Sequence, residues 1–145
     1  MKQTNRAESM GKMKQAKQSR QKRYYKVVRK EDRGSIVIHR YKVRYVKGEF
    51  VTPKVQGSKL MVFGSRKTAE AYVAGDEFCY VVLPCHIVKS EVQPSYILDV
   101  VHLRNDEIER FWTAANRGLW NEVVPCKLKS PPRGTVFADS VKCLE

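Results

Sequence analysis

The chain has 145 residues and carries 28 lysines and arginines against 15 acidic residues, a formal net charge of +13. This length supports one hydrophobic core without disulfides, and an apolar fraction of 42% excludes a wholly disordered chain. No run approaches the roughly 18 consecutive apolar residues of a membrane helix, and the N-terminus has charge without a secretory apolar stretch, so no membrane partner is expected. The four cysteines, Cys79, Cys85, Cys126 and Cys143, are then expected to be reduced thiols in a cytoplasmic setting.

The charge is unevenly spread. Residues 1–23 carry +7, residues 24–67 carry +9 and residues 68–145 carry −3. Residues 1–22 hold no aromatic residue and only methionine and alanine as apolar side chains, so they read as a flexible basic arm ahead of a single domain spanning 23–145. Lys12, Lys14, Lys17, Arg20, Lys22 and Arg23 are its candidate phosphate contacts.

From Tyr24 the pattern turns to strands. YYKVVR, residues 24–29, is a short strand, and residues 31–34 make a turn. Residues 35–46 alternate, with Val37, His39, Tyr41, Val43 and Tyr45 on one face and Ile36, Ile38, Arg40, Lys42 and Arg44 on the other. Side chains two apart on a strand are about 6.6 Å apart, so Arg40, Lys42 and Arg44 form a row of cations while Tyr41 and Tyr45 turn to the core. Tyr24 and Tyr25 are left as the aromatic residues able to stack on bases. Phe50 and Val51 are expected to pair back as a brief strand before Pro53, giving a meander.

Residues 57–89 carry the clearest architecture. Leu60–Phe63 and Phe78–Leu83 are apolar runs of strand length, expected to be covered on both faces. Between them Ser65 suits a helix N-cap, Ala69, Tyr72 and Val73 share a helical face, and Gly75 suits a left-handed C-terminal position. Pro84 is expected to end the second strand or to bulge it. Residues 96–101 alternate as a further strand. Asn105 then opens a helix whose first turn is acidic and whose stripe is Ile108, Phe111, Trp112 and Ala115, ended by Gly118. The last strand is GTVFADSVKCL, residues 134–144.

The fold expected is a single α+β domain, a mixed but mostly antiparallel sheet of about six strands with two helices packed on it. Its core should include Phe63, Tyr72, Val81, Phe111, Trp112 and Val136.

Taken together, YYKVVR, the tyrosine-rich strand running to Gly48, LMVFGSRKTAEAYV, the Phe111-Trp112 helix and PRGTVFADSVKCL resemble a group of small phage and mobile-element proteins with no established activity. The resemblance covers residues 24–145 and implies a small α+β domain in a mobile-element setting. It transfers no catalytic residue, and the arm lies outside it.

Ser65, Arg66 and Lys67 follow a strand and open a helix. Two cations in a first turn oppose the helix dipole by about 0.3 to 1 kcal/mol each, which invites an anion such as phosphate. The cysteines and His86 lack the Cys-x2-Cys or His-x3-His spacing of a local metal chelate, so neither a metal nor another cofactor is expected. His39, His86, His102, Glu70 and the Asp139-Ser140 pair form no motif joining a nucleophile to a base, so no catalytic residue is assigned. The leading reading is non-enzymatic binding of nucleic acid or a nucleoprotein by the arm and the cationic strand face. Two alternatives are inhibition of a host defence protein and action on a phosphorylated nucleotide.

Overall fold

Valine, isoleucine and the aromatics concentrate in the segments that become strands, and the pairing of those strands decides which side chains meet. The structure, a computed structural model, describes residues 21–35, 43–55, 57–98, 105–118 and 128–145. Among these, the elements run β1 (Tyr24–Arg29), β2 (Phe50–Val51), β3 (Leu60–Phe63), α1 (Arg66–Tyr72), β4 (Tyr80–Lys89), β5 (Ile97–Leu98), α2 (Asn105–Arg117), β6 (Leu128–Lys129) and β7 (Thr135–Cys143). The chain is a single α+β domain whose described strand ladders are all antiparallel. No described helix is long and apolar enough to cross a membrane.

β1 pairs with β3 and β4, and β7 also pairs with β3 and β4, so four strands close a circuit and enclose a core. Closure removes exposed sheet edges. Among the described residues β2 pairs not with the strand before it but with β7, Phe50 facing Lys142 and Val51 facing Val141. β7 is long enough to serve three partners, because a bulge lets it bend. Val88 faces Ser140 while Lys89 faces Ala138, leaving Asp139 as the extra residue. The bulge resets the alternation, so Ala138 and Val141 both turn inward and both are fully buried.

Three apolar clusters result. The interior of the circuit holds Val28, Val43, Tyr45, Leu60, Val62, Leu83, Cys85, Ile87, Ala138, Val141 and Cys143. α1 packs Ala69 and Val73 on the outer side chains Val27 and Phe63. α2 packs Ile108, Phe111, Trp112, Ala114 and Ala115 against Phe137, Ile97 and Leu98. Ser65 is the N-cap of α1, accepting a hydrogen bond from Thr68 N, and Gly75 has φ of 92°, as the residue choice suggested. The Gly134-Thr135 pair has a steric reason. Gly134 has φ of 84°, its carbonyl accepts from Gly64 N at 2.9 Å, and a Cβ there would stand 2.6 Å from the Thr68 hydroxyl.

The structure corrects several expectations. β4 begins at Tyr80, and Phe78, expected within a covered strand, is 95% exposed, because Asp76–Cys79 form a turn held by Cys79 N donating to Asp76 O. Pro84 neither ends nor bulges β4. Its carbonyl accepts from Leu144 N on the β7 side, and the N and O of one strand residue share a side, so the missing N–H costs no bond to β1. Phe63, Phe111 and Trp112 are buried as expected, but Val81 and Val136 are half-buried and Tyr72 is 43% exposed, its ring tilted by 38° against that of Phe63 at 5.3 Å. Of the long tyrosine-rich strand, the described part is a single bridge between Gly34 and Arg44, and residues 36–42 lie outside the described residues. At that bridge the alternation holds: Val43 and Tyr45 are buried and Arg44 is exposed. The strand expected at 96–101 is described as Ile97–Leu98 only, with residues 99–104 outside, and it pairs with β6, which had not been expected.

Cys85 and Cys143 face each other across β4 and β7 inside the circuit, both as free thiols, whereas Cys79 is exposed. Burial and then the neighbouring Cys143 push the Cys85 thiol up to about 12, and burial also raises Cys143. Only a thiolate alkylates quickly. With iodoacetamide at pH 8, peptide mapping should therefore find Cys79 modified in the native protein and Cys85 and Cys143 modified only after denaturant is added. Equal labelling of all three in native buffer would contradict the closed circuit.

Candidate functional site

The alternation that turns Cys85 and Ile87 inward turns His86 and Val88 outward, and their partners Lys142 and Ser140 share that outer face. Phe50 of β2, opposite Lys142, completes it. None of these side chains belongs to the clusters beneath α1 or α2. Phe50 and Val88 are each 51% exposed, and Lys142 Nζ lies 5.0 Å from the centre of the Phe50 ring. Partial desolvation lowers the His86 pKa first, and then the charges of Lys142 and Arg23 lower it further, which places Arg23 within the same field. The face therefore presents two cations, an imidazole whose protonated form is disfavoured by partial desolvation and then by those charges, and an accessible aromatic ring. Like charges gathered this way repel each other unless an anion sits among them.

Among the described residues, Arg23 is the arm residue of the sequence reading that enters this face. Its neighbour Lys22 goes elsewhere, lying 4.8 Å from the Tyr24 ring centre and close to Gly64, where a Cβ would stand 3.9 Å from Lys22 Nζ. Arg66 lies 4.9 Å from the Tyr25 ring centre. The structure thus brings the end of the arm to the start of α1 and makes a second group of cations there, Lys22, Arg66 and the exposed Lys67. Both tyrosines are half-buried with a cation over the ring, so the stacking residue on offer is Phe50 and not the Tyr24-Tyr25 pair.

At the local anion cradle expected at Ser65, Arg66 and Lys67, two polar groups have partners within the protein and both cations are exposed. The Ser65 hydroxyl is bonded to Thr68, and Gly64 N donates to Gly134 O. What this segment adds is charge. Arg44 is exposed on its bridge, while Lys12, Lys14, Lys17, Arg20, Arg40 and Lys42 lie outside the described residues.

The interior of the circuit holds a feature that the composition hides. Tyr24, Lys26 and Val28 alternate inward along β1, so Lys26 is 7% exposed. β1 meets β3 at a single pair, Tyr25 and Phe63, and across the remaining gap Lys26 Nζ donates to Met61 O at 2.7 Å while lying 4.9 Å from the Tyr45 ring centre. Burial lowers its pKa to about 8, outweighing the support of Cys85 and Cys143. The period-two pattern of YYKVVR already implied the position, since Lys26 stands between inward residues.

No group of three or more histidine, cysteine or acidic side chains placed to hold a metal occurs among the described residues. No protein-family model matches the chain, and neither a curated protein nor a solved structure shows significant similarity to it.

Proposed function

We propose that this chain is a non-enzymatic, phage-type accessory protein that binds single-stranded nucleic acid, alone or within a nucleoprotein. The observation that carries this is the outer face on which Lys142 lies over the half-exposed ring of Phe50, with His86 opposite Lys142 on the next strand and Arg23 within electrostatic reach of His86. A cationic groove that follows the backbone, with an aromatic ring for a base to stack on, is the combination used for single strands. Lys22 and Arg23, adjacent in sequence, belong to the two cation groups, so one strand crossing residues 22–25 meets both, and the basic arm enters at the same point. The excess charge before residue 68 then has a partner.

The test is fluorescence anisotropy with a labelled single-stranded oligonucleotide over a range of salt. Phe50→Ala should weaken binding about fivefold to hundredfold, the range for losing one stacked base. Arg23→Gln and Lys142→Gln should each reduce the salt slope by roughly 0.7 without changing sequence preference. Deleting residues 1–22 should leave the melting temperature nearly unchanged and weaken binding about tenfold or more at low salt. No binding at about 50 mM salt, where phosphate contacts are strong, would overturn the proposal. A host protein that copurifies stoichiometrically after nuclease treatment, from a chain that binds no nucleic acid, would establish the inhibitor reading instead.

A further inference from the structure

A cavity of about 200 Å³ opens where β1 and β3 part, and the buried end of Lys26 and the Tyr45 ring both line it. Its other walls are mostly apolar, among them Val27 of β1, Leu60 and Phe63 of β3, and Ile108 and Trp112 of α2, with Ser35, Lys54 and Lys59 as the polar members. Tyr45 is 1% exposed, and its hydroxyl has no hydrogen-bond partner among the described residues. Ser35 approaches it, its hydroxyl accepting from Val43 N at 3.0 Å and donating to Val43 O at 3.1 Å, without closing a well-formed hydrogen bond to the phenol. A buried phenol without a partner is costly and uncommon in native proteins. Lys26 spends one of its N–H groups on Met61 O and has others left.

We propose that this cavity is a binding site for a small monocarboxylic acid with an apolar body, its carboxylate taken by Lys26 and the Tyr45 hydroxyl. Of the three lysines that line the cavity, Lys59 is paired with Asp139 and Lys54 is exposed, so at the buried end the single ammonium of Lys26 meets one negative charge, which favours a carboxylate over a doubly charged phosphate. The walls suit a hydrocarbon body. A cavity of about 150 Å³ accepts benzene, so about 200 Å³ admits an aromatic or branched acid with around ten non-hydrogen atoms. The site is separate from the outer face and does not depend on nucleic-acid binding.

The probes are benzoate, 3-phenylpropionate and 4-methylpentanoate, with benzamide and benzyl alcohol as uncharged controls, on the full-length protein. Binding is read by the NMR shifts of Tyr45 and of the Lys26 ε-carbon. At roughly 10 mM, where even a Kd of about 1 mM gives nine-tenths occupancy, at least one acid should bind and move the Lys26 titration midpoint upward. Lys26→Met and Tyr45→Phe should each weaken that acid about tenfold or more, the loss expected for one charged or buried hydrogen bond. Both variants remove a buried polar group without opening a large void, so both should fold, and their thermal melts check this. Failure of all three acids, an unmoved Lys26 midpoint, equal affinity in Lys26→Met, or equally good binding of benzamide would each overturn the proposal.

Discussion

Replacing Trp112 by alanine should destabilise the protein by about 3 to 5 kcal/mol, the cost of emptying a large aromatic site in a packed core. Trp112 sits at the centre of the α2 cluster, edge-on to Phe111 at 5.0 Å and to Phe137 of β7 at 6.0 Å, and is 9% exposed. Each such edge-to-face pair adds about 0.5 to 1.5 kcal/mol beyond area burial. The indole also walls the cavity beside Lys26, so its removal enlarges an existing void that the chain cannot easily collapse. Urea unfolding read by far-UV circular dichroism measures the loss. The matched control is Phe78→Ala, which removes an aromatic side chain that is 95% exposed and should move the midpoint by less than about 0.5 kcal/mol. An unchanged midpoint for Trp112→Ala, or a large loss for Phe78→Ala, would reverse the assignment of core and surface.

Trp112 and Phe78 also mark where sequence reasoning succeeds and where it stops. Trp112 lies on a helical stripe of period 3.6 long enough to set its phase, and the same holds for Ile108, Phe111 and Ala115. Phe78 opens an apolar run of strand length with no alternation, and in such a run nothing local separates the last turn residue from the first strand residue. The turn chemistry of Asp76 decides it. The α+β class, the N-cap at Ser65 and the left-handed Gly75 were legible because each depends on a few neighbouring residues. The closed circuit was not, since β7 reaching β2, β3 and β4 is a matter of pairing between residues as far apart as Phe50 and Lys142.

The candidate face divides in the same way. Arg23 was visible as one of a run of basic residues. Its association with His86, Lys142 and Phe50 requires the registers of three ladders, none of which leaves a mark in local sequence. Lys26 was open to inference from parity alone, yet a lysine inside a closed sheet contradicts the usual preference for exposure so strongly that composition points the other way.

That contradiction has a measurable consequence: at pH 7, Lys26→Met should be more stable than the wild type by about 1 to 3 kcal/mol. The unfolded lysine titrates at 10.5 and the folded one at about 8, a difference of 2.5 units worth about 3 kcal/mol at 1.36 kcal/mol per unit. Below pH 8 both states hold the proton and the folded state bears the whole penalty. Between 8 and 10.5 the folded state sheds it first, the unfolded state binds more protons, and stability rises with pH. Methionine removes the penalty but leaves Met61 O without its donor, which offsets about 1 kcal/mol.

The thiols and the phenol inside the circuit act with the opposite sign. Cys85 titrates at about 12 folded against 9.0 unfolded, burial raises Cys143 as well, and burial raises Tyr45 above 10.0. As pH nears and passes 9 the unfolded state loses those protons first, which lowers stability. Wild type should therefore gain roughly 0.5 kcal/mol from pH 7 to a maximum between pH 8 and 9, whereas Lys26→Met should have no such maximum and should decline from about pH 8. Starting at pH 7 keeps His86 largely out of the window, since its folded midpoint lies below 6.5. Urea midpoints at half-unit pH steps distinguish the curves. A wild-type curve that falls steadily from pH 7, or a Lys26→Met variant less stable than wild type there, would place Lys26 in contact with water. If methionine does fold better, the ammonium is held in the interior against stability, and a residue held at such a cost is the kind expected at a binding site.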